Sequence, residues 1–186
     1  MKMRLVVALV GLAISFALPT FAQQSATSTS SPATTSAVSG PQEKSNENPL
    51  LGTWKLQSFV FEAIASGRRS SPLGDHAVGY LSYSPDGRMY AIVVAGDRPK
   101  PRDLVPPDAE KAKLYESVIA YAGTYTVDGE KVIHHVDISW NQTWTGTDQV
   151  RFYKLDGNTL TITTARAQSV FDGEEGQFIV VWKKVQ

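Results

Sequence analysis

Cysteine is absent from the 186 residues, which excludes disulfides, zinc–thiolate sites, thiol catalysis and a lipid anchor carried on cysteine. Histidine is scarce, with three residues, so no dedicated metal site is expected. Neither sign of charge dominates: 18 basic residues face 18 acidic ones, and no basic field exists to hold nucleic acid. The chain also lacks a Gly-x-Ser-x-Gly nucleophile elbow, a phosphate-cradling glycine loop and any solenoid-length repeat. No cofactor motif is present. The one adjacent carboxylate pair near a glycine, Glu174 and Glu175, reads as part of a solvated turn.

What is there divides the chain into three parts. Lys2 and Arg4 precede an apolar run from Leu5 to Leu18, then Pro19, Thr20 and Ala22. This is the pattern of a secretory signal peptide over residues 1–22, cleaved after Ala22. The run is broken by Ser15 and Pro19, short of the about 20 apolar residues a membrane-crossing helix needs. The expectation is therefore an exported protein, periplasmic or secreted, with no stable membrane span after processing. Residues 23–48 are Ser, Thr, Ala, Pro, Gln and Asn with scarcely a large apolar side chain. Such a segment buries too little surface to offset its conformational entropy, and is expected to be a disordered Ser/Thr-rich linker. Residues 49–186 are a comfortable length for one domain with one core. Without Lys2 and Arg4 the basic residues number two fewer than the 18 acidic ones, so the processed chain is close to neutral.

In that domain short alternating segments are joined by tight-turn signals: Ser84-Pro85-Asp86-Gly87, Asp128-Gly129, Asp156-Gly157-Asn158 and Asp172-Gly173. In the first segment Trp54, Leu56, Ser58 and Val60 share one parity, and Thr53, Lys55, Gln57, Phe59 and Phe61 the other. Pro99, Pro101, Pro106 and Pro107 forbid a central strand between them. After Pro107 and Asp108 the recurrence of Leu114, Val118 and Ala122, beside Tyr115, Ile119 and Tyr121, predicts a helix ending at Gly123. Counting gives an all-β domain of about eight strands, an antiparallel up-and-down barrel, with one helix between strands three and four. Eight is about the number whose closed interior holds one small ligand.

Several spaced stretches carry a resemblance: Leu51-Gly52-Thr53-Trp54-Lys55-Leu56, the hairpin Gly79 to Met89, Gly123-Thr124-Tyr125, His134-His135-Val136, and Trp144-Thr145-Gly146 with Arg151. Together they resemble the bacterial and fungal lipocalin-like domain family. That resemblance implies a lipocalin- or calycin-like barrel in which Gly52 opens the first strand and Trp54 packs across the barrel base. In true lipocalins an arginine near the last strand covers this tryptophan; here the terminal strand offers Lys183 or Lys184.

The candidate chemistry is sparse. His134 and His135 are neighbours on a strand, so they face opposite sides and cannot share one metal. His134 shares its parity with Val132, Val136 and Ile138. It reads as a buried neutral imidazole, a ligand contact or a proton carrier. Arg151 alternates with Gln149, Tyr153 and Leu155. An arginine aimed into a barrel binds a carboxylate in bidentate fashion, and one at the wall stacks on an aromatic ring. Tyr153, Tyr90, Tyr125 and Trp144 are further candidate ligand contacts. The loop Trp140 to Trp144 forms either the lip of a pocket or the closed barrel bottom. The leading expectation is an exported, non-enzymatic protein that binds a small hydrophobic or amphipathic ligand. Two other classes stay open: a barrel isomerase, cyclase or hydrolase using His134 and Arg151, and a filled barrel serving as an interaction module. Oligomeric state is not written in the sequence.

Overall fold

The computed structural model describes residues 48–185. The expected signal peptide, and the expected linker up to its last residue, lie outside the described residues. Within them the chain runs β1 (Gly52–Ala63), β2 (Arg69–Ser70), β3 (Val78–Tyr83), β4 (Arg88–Val94), α1 (Asp108–Glu116), β5 (Val118–Asp128) and β6 (Lys131–Ser139), then β7 (Asp148–Asp156), β8 (Thr159–Thr164), β9 (Ala167–Gln168) and β10 (Glu175–Lys184). All pairings are antiparallel, in the order β2-β1-β3-β4-β5-β6-β7-β8-β10-β9. β1 also pairs with β10, from Trp54 opposite Lys184 to Ala63 opposite Gly176. That seam closes the eight long strands into a barrel, while β2 and β9 are two-residue additions at the rim. No helix among the described residues is long and apolar enough to cross a membrane.

The helix follows β4, not the third strand, because the short pairing of Glu62 with Arg69 and of Phe61 with Ser70 adds a strand that carries no pattern of its own. It is also shorter than its apolar spacing predicts. α1 stops at Glu116, has no buried residue, and lies outside the core. Val118 to Gly123 belong instead to β5, where Ile119, Tyr121 and Gly123 face inward and alternate with smaller or half-buried neighbours. The sequence of large and small residues there satisfies either period, and burial of Ile119 and Tyr121 on one sheet face decides for the strand.

Two β-bulges shift the inward parity. In β1 the register slips between Leu56 and Ser58, so the inward residues run Trp54, Leu56, Phe59, Phe61 and Ala63. Ser58 and Val60 therefore leave the face of Trp54. In β6 a slip opposite Ala122 and Gly123 pushes Ile138 out to 66% exposure, although Val132, His134 and Val136 point in. Gly123 is required at that bulge: a Cβ there would lie 1.9 Å from the His135 carbonyl oxygen. An extra residue on one strand bends it and sharpens its twist, which helps so small a barrel to close.

The two ends differ. At one lie the tight turns β3–β4, β5–β6 and β7–β8, packed over Leu50, Trp54, Tyr83, Met89 and Leu160. Gly52, at φ 110°, turns the chain in under this end, and Trp54 is fully buried with its Nε1–H donating to the Leu50 carbonyl at 2.8 Å. Lys184 Nζ sits 5.2 Å from the indole centroid, in the place the resemblance gives to an arginine. The longer connections, including the proline-rich loop with α1 and the loop from Trp140 to Thr147, gather at the other end.

Candidate functional site

The barrel core is not filled to the open end. A cavity bounded by Phe59, Val93, Ile119, Ile162, Phe178 and Val180, and by the opposite aromatic wall, holds about 560 Å³ of space free of protein atoms, counting the part open to solvent. Its wall also carries Tyr121, His134, Trp144, Arg151, Thr164 and Trp182. A second depression shares Trp144, Arg151, Thr164, Val170 and Phe178 with it and adds Asp148, Gln149 and Gln168, forming the mouth.

Arg151 comes from β7, where the alternation puts it inward while Phe152 points to solvent. It is 7% exposed. Nη1 donates to the Val150 carbonyl at 3.0 Å and Nη2 to Gln149 Oε1 at 3.3 Å. Its Cζ lies 5.8 Å from the Trp144 ring. Among the described residues no carboxylate forms an ion pair with it. A guanidinium has five N–H donors, so part of its capacity faces the cavity.

Trp144 closes a single 3₁₀ turn, Gln142–Trp144, capped by the Asn141 side chain. Its ring meets Trp140 at 5.0 Å and Tyr121 at 5.5 Å, both edge-on. The Trp140 to Trp144 loop is thus the lip of the pocket, not the closed bottom.

His134 is 1% exposed and lies between two tyrosines from other strands. Tyr83 Oη is 2.7 Å from Nε2, and Tyr121 Oη 2.9 Å from Nδ1. Burial, then the charge of Arg151 and that of His135, hold the imidazole well below the ordinary histidine range. Burial likewise pushes the Tyr83 phenol well above its usual range. His134 and Tyr83 are therefore both neutral. A neutral imidazole donates from one nitrogen and accepts at the other, and both are engaged. His134 consequently has no free nitrogen for a ligand and acts on the cavity only through Tyr121.

The pH dependence follows with its sign. Folded His134 has a depressed pKa, so below the ordinary value of about 6.5 the unfolded chain takes up the proton and the folded one does not. Stability is full above that pH and is lost as pH falls, by up to about 1.4 kcal/mol per pH unit. The carboxylates held low by their hydrogen bonds, Glu62, Asp86 and Asp172, titrate below this window. Denaturant melts between pH 6.5 and 5 should show the slope in the wild type and a reduced one in His134→Gln. Equal slopes would place the titration elsewhere.

The other candidates are not brought together. Tyr90 is 41% exposed, since its neighbours Met89 and Ala91 take the inward positions of β4. Tyr125 is half-buried at the closed end, donating to the Ser84 carbonyl at 3.1 Å and accepting from Asn48 Nδ2 at 2.9 Å. Tyr153 also serves that end, with its hydroxyl on the Gly129 carbonyl at 3.1 Å. None of the three lines the cavity. Conversely Tyr121, Thr164, Phe178 and Trp182 line the cavity although nothing in the sequence marks them as site residues. Tyr121 was hidden by the helical reading of its segment, and Trp182 by its place in the closing strand, where only alternation with Val181 and Lys183 marks it as inward. His135 lies on the outer face, bonded to Asp148 Oδ1 at 2.7 Å and Thr126 Oγ1 at 3.0 Å.

Two comparisons bear on this site. The sequence model of the lipocalin-like domain family matches residues 51–185. Over 86 residues the chain is 30% identical to the 4′-hydroxy-3′-methoxypropiophenone carrier protein of Aspergillus oryzae, an alignment covering 42% of this chain and 77% of that protein.

Proposed function

Since the chain belongs to the lipocalin-like domain family, we propose that it is an exported binding protein that encloses a small hydrophobic or amphipathic molecule, with the ligand's polar head at Arg151. One observation carries this reading: a guanidinium buried to 7% exposure on the wall of a largely apolar cavity, with no carboxylate among the described residues ion-paired to it. A buried charge without a counter-ion is costly, and a ligand oxygen or carboxylate reaching it offsets that cost. The relative's name adds a direction, because the molecule that protein carries is an aromatic ketone, small and largely apolar. The aromatic lip of Trp144 and Trp140 suits such a ring.

Native mass spectrometry of the protein isolated from its own producer tests the reading. A co-purifying molecule of a few hundred daltons, lost on denaturation, is expected; repeated isolation of bare protein that also binds no fluorescent fatty acid would overturn it. Export has a separate test. Material outside the cytoplasm should begin near Gln23, because the Thr20-x-Ala22 site follows a short apolar core. N-terminal sequencing that returned an intact Met1 would remove the export part and leave the binding part standing.

A further inference from the structure

The polar side chains that line the cavity include no acceptor-only group. Tyr83 is 1% exposed, its ring does not line the cavity, and its hydroxyl has one partner, His134 Nε2. If Nε2 carried the proton, the Tyr83 O–H would be buried without an acceptor, an arrangement strongly disfavoured in a protein interior. The satisfied arrangement is therefore fixed: Tyr83 O–H donates to Nε2, and Nδ1–H donates to the Tyr121 oxygen. Tyr121 then keeps its own O–H to give, and its side chain lines the cavity.

Trp182 supplies a second donor. It is 4% exposed, lines the cavity, and its Nε1–H is fully enclosed with no hydrogen-bond partner. Thr164 supplies a third: its Oγ1 already accepts from the Phe178 amide at 2.9 Å, leaving the O–H to give. Arg151 is the fourth. No Asp, Glu, Asn or Gln lines this cavity, and strand carbonyls are taken by the barrel ladders.

We infer that the cavity selects its ligand as a hydrogen-bond acceptor: a small apolar molecule bearing carbonyl, ether or carboxylate oxygens, received by Tyr121 and Trp182 as well as Arg151. A molecule whose buried end is only a donor, or has no polar group, leaves the Trp182 N–H orphaned. The proton order set by Tyr83 and His134 is what makes Tyr121 a donor to the cavity, so His134 is a positioning residue and not a ligand contact. This inference rests on the binding reading above and deepens it by naming the ligand chemistry.

The test uses the full chain and two isosteric probes, propiophenone and n-propylbenzene, titrated by calorimetry with the Trp182 indole N–H followed by nitrogen-15 NMR. Propiophenone is expected to bind roughly tenfold tighter and to move the Trp182 indole resonance, which the hydrocarbon leaves in place. Tyr121→Phe is expected to shrink the preference for propiophenone over n-propylbenzene. Equal affinity of the two probes, or a preference untouched by Tyr121→Phe together with an unmoved Trp182 resonance, overturns the acceptor selection and leaves the binding function intact. Saturable binding of neither probe, nor of a fatty acid, overturns the binding function itself and this inference with it. The wild-type probe comparison stands even if Tyr121→Phe fails to fold.

Discussion

Replacing Trp54 by alanine is expected to destabilise the barrel by about 3–5 kcal/mol, the usual cost of deleting a large buried aromatic. The indole is fully enclosed, opposite Leu81 on one side and Lys184 on the other. Its loss opens a cavity and also frees the Leu50 carbonyl, which accepts the indole N–H at 2.8 Å. Trp54→Phe separates the two contributions, since it keeps most of the volume and removes only the hydrogen bond, worth about 1 kcal/mol. Denaturant melts decide the matter: a change below about 1 kcal/mol in Trp54→Ala, the size of an ordinary substitution, would show that the ring does not close this end.

Removing Arg151 has the opposite character. Arg151→Ala should weaken binding of a carboxylate-headed ligand by about 2–5 kcal/mol, the range for truncating one member of a buried charge pair. Arg151→Lys should also lose affinity, because the planar fork that meets a carboxylate in two bonds is gone. Stability should hardly fall in Arg151→Ala and is expected to rise where the site is empty, because a buried charge without a counter-ion has been removed. Titration calorimetry and melts on the same samples read both effects. Unchanged affinity with a large loss of stability would assign Arg151 to the scaffold and remove the head-group reading.

The architecture was legible in the sequence because it is written locally. Pro-Asp-Gly and Asp-Gly turns fix hairpins within a few residues, and eight alternating segments between them leave little choice but a closed sheet. Gly52 and Trp54 were legible for a similar reason, through a motif at one end of one strand. Bulges were not. At Gln57 and Asp137 one extra residue reverses the parity, so Ser58, Val60 and Ile138 sit on faces that strict alternation does not predict. The inward side of β5 was obscured because Ile119 and Tyr121 fit a helical stripe as well as a strand.

The site was legible only in part. Arg151 and His134 were found by parity, and the structure places both on one cavity. What His134 does depends on Tyr83 and Tyr121, which approach it from β3 and β5, and no local spacing reports a meeting of three strands. Tyr90 and Tyr125 are marked as candidates by residue type alone, and Tyr153 by type and by its parity with Arg151. Type does not separate a tyrosine that faces a ligand from one that ties down a turn.

The seam between β1 and β10 has a consequence in time. It pairs the first strand of the domain with the last, and β10 also stands between β1 and β8. Until that strand has left the ribosome, a nascent chain presents two unsatisfied edges and an open apolar trough, and closure requires its most distant segments to meet. Contacts of such long sequence separation make folding slow. Completion therefore comes late and in one step, and a chain cut ahead of Glu175 should pair with other chains at its bare edges instead of folding alone.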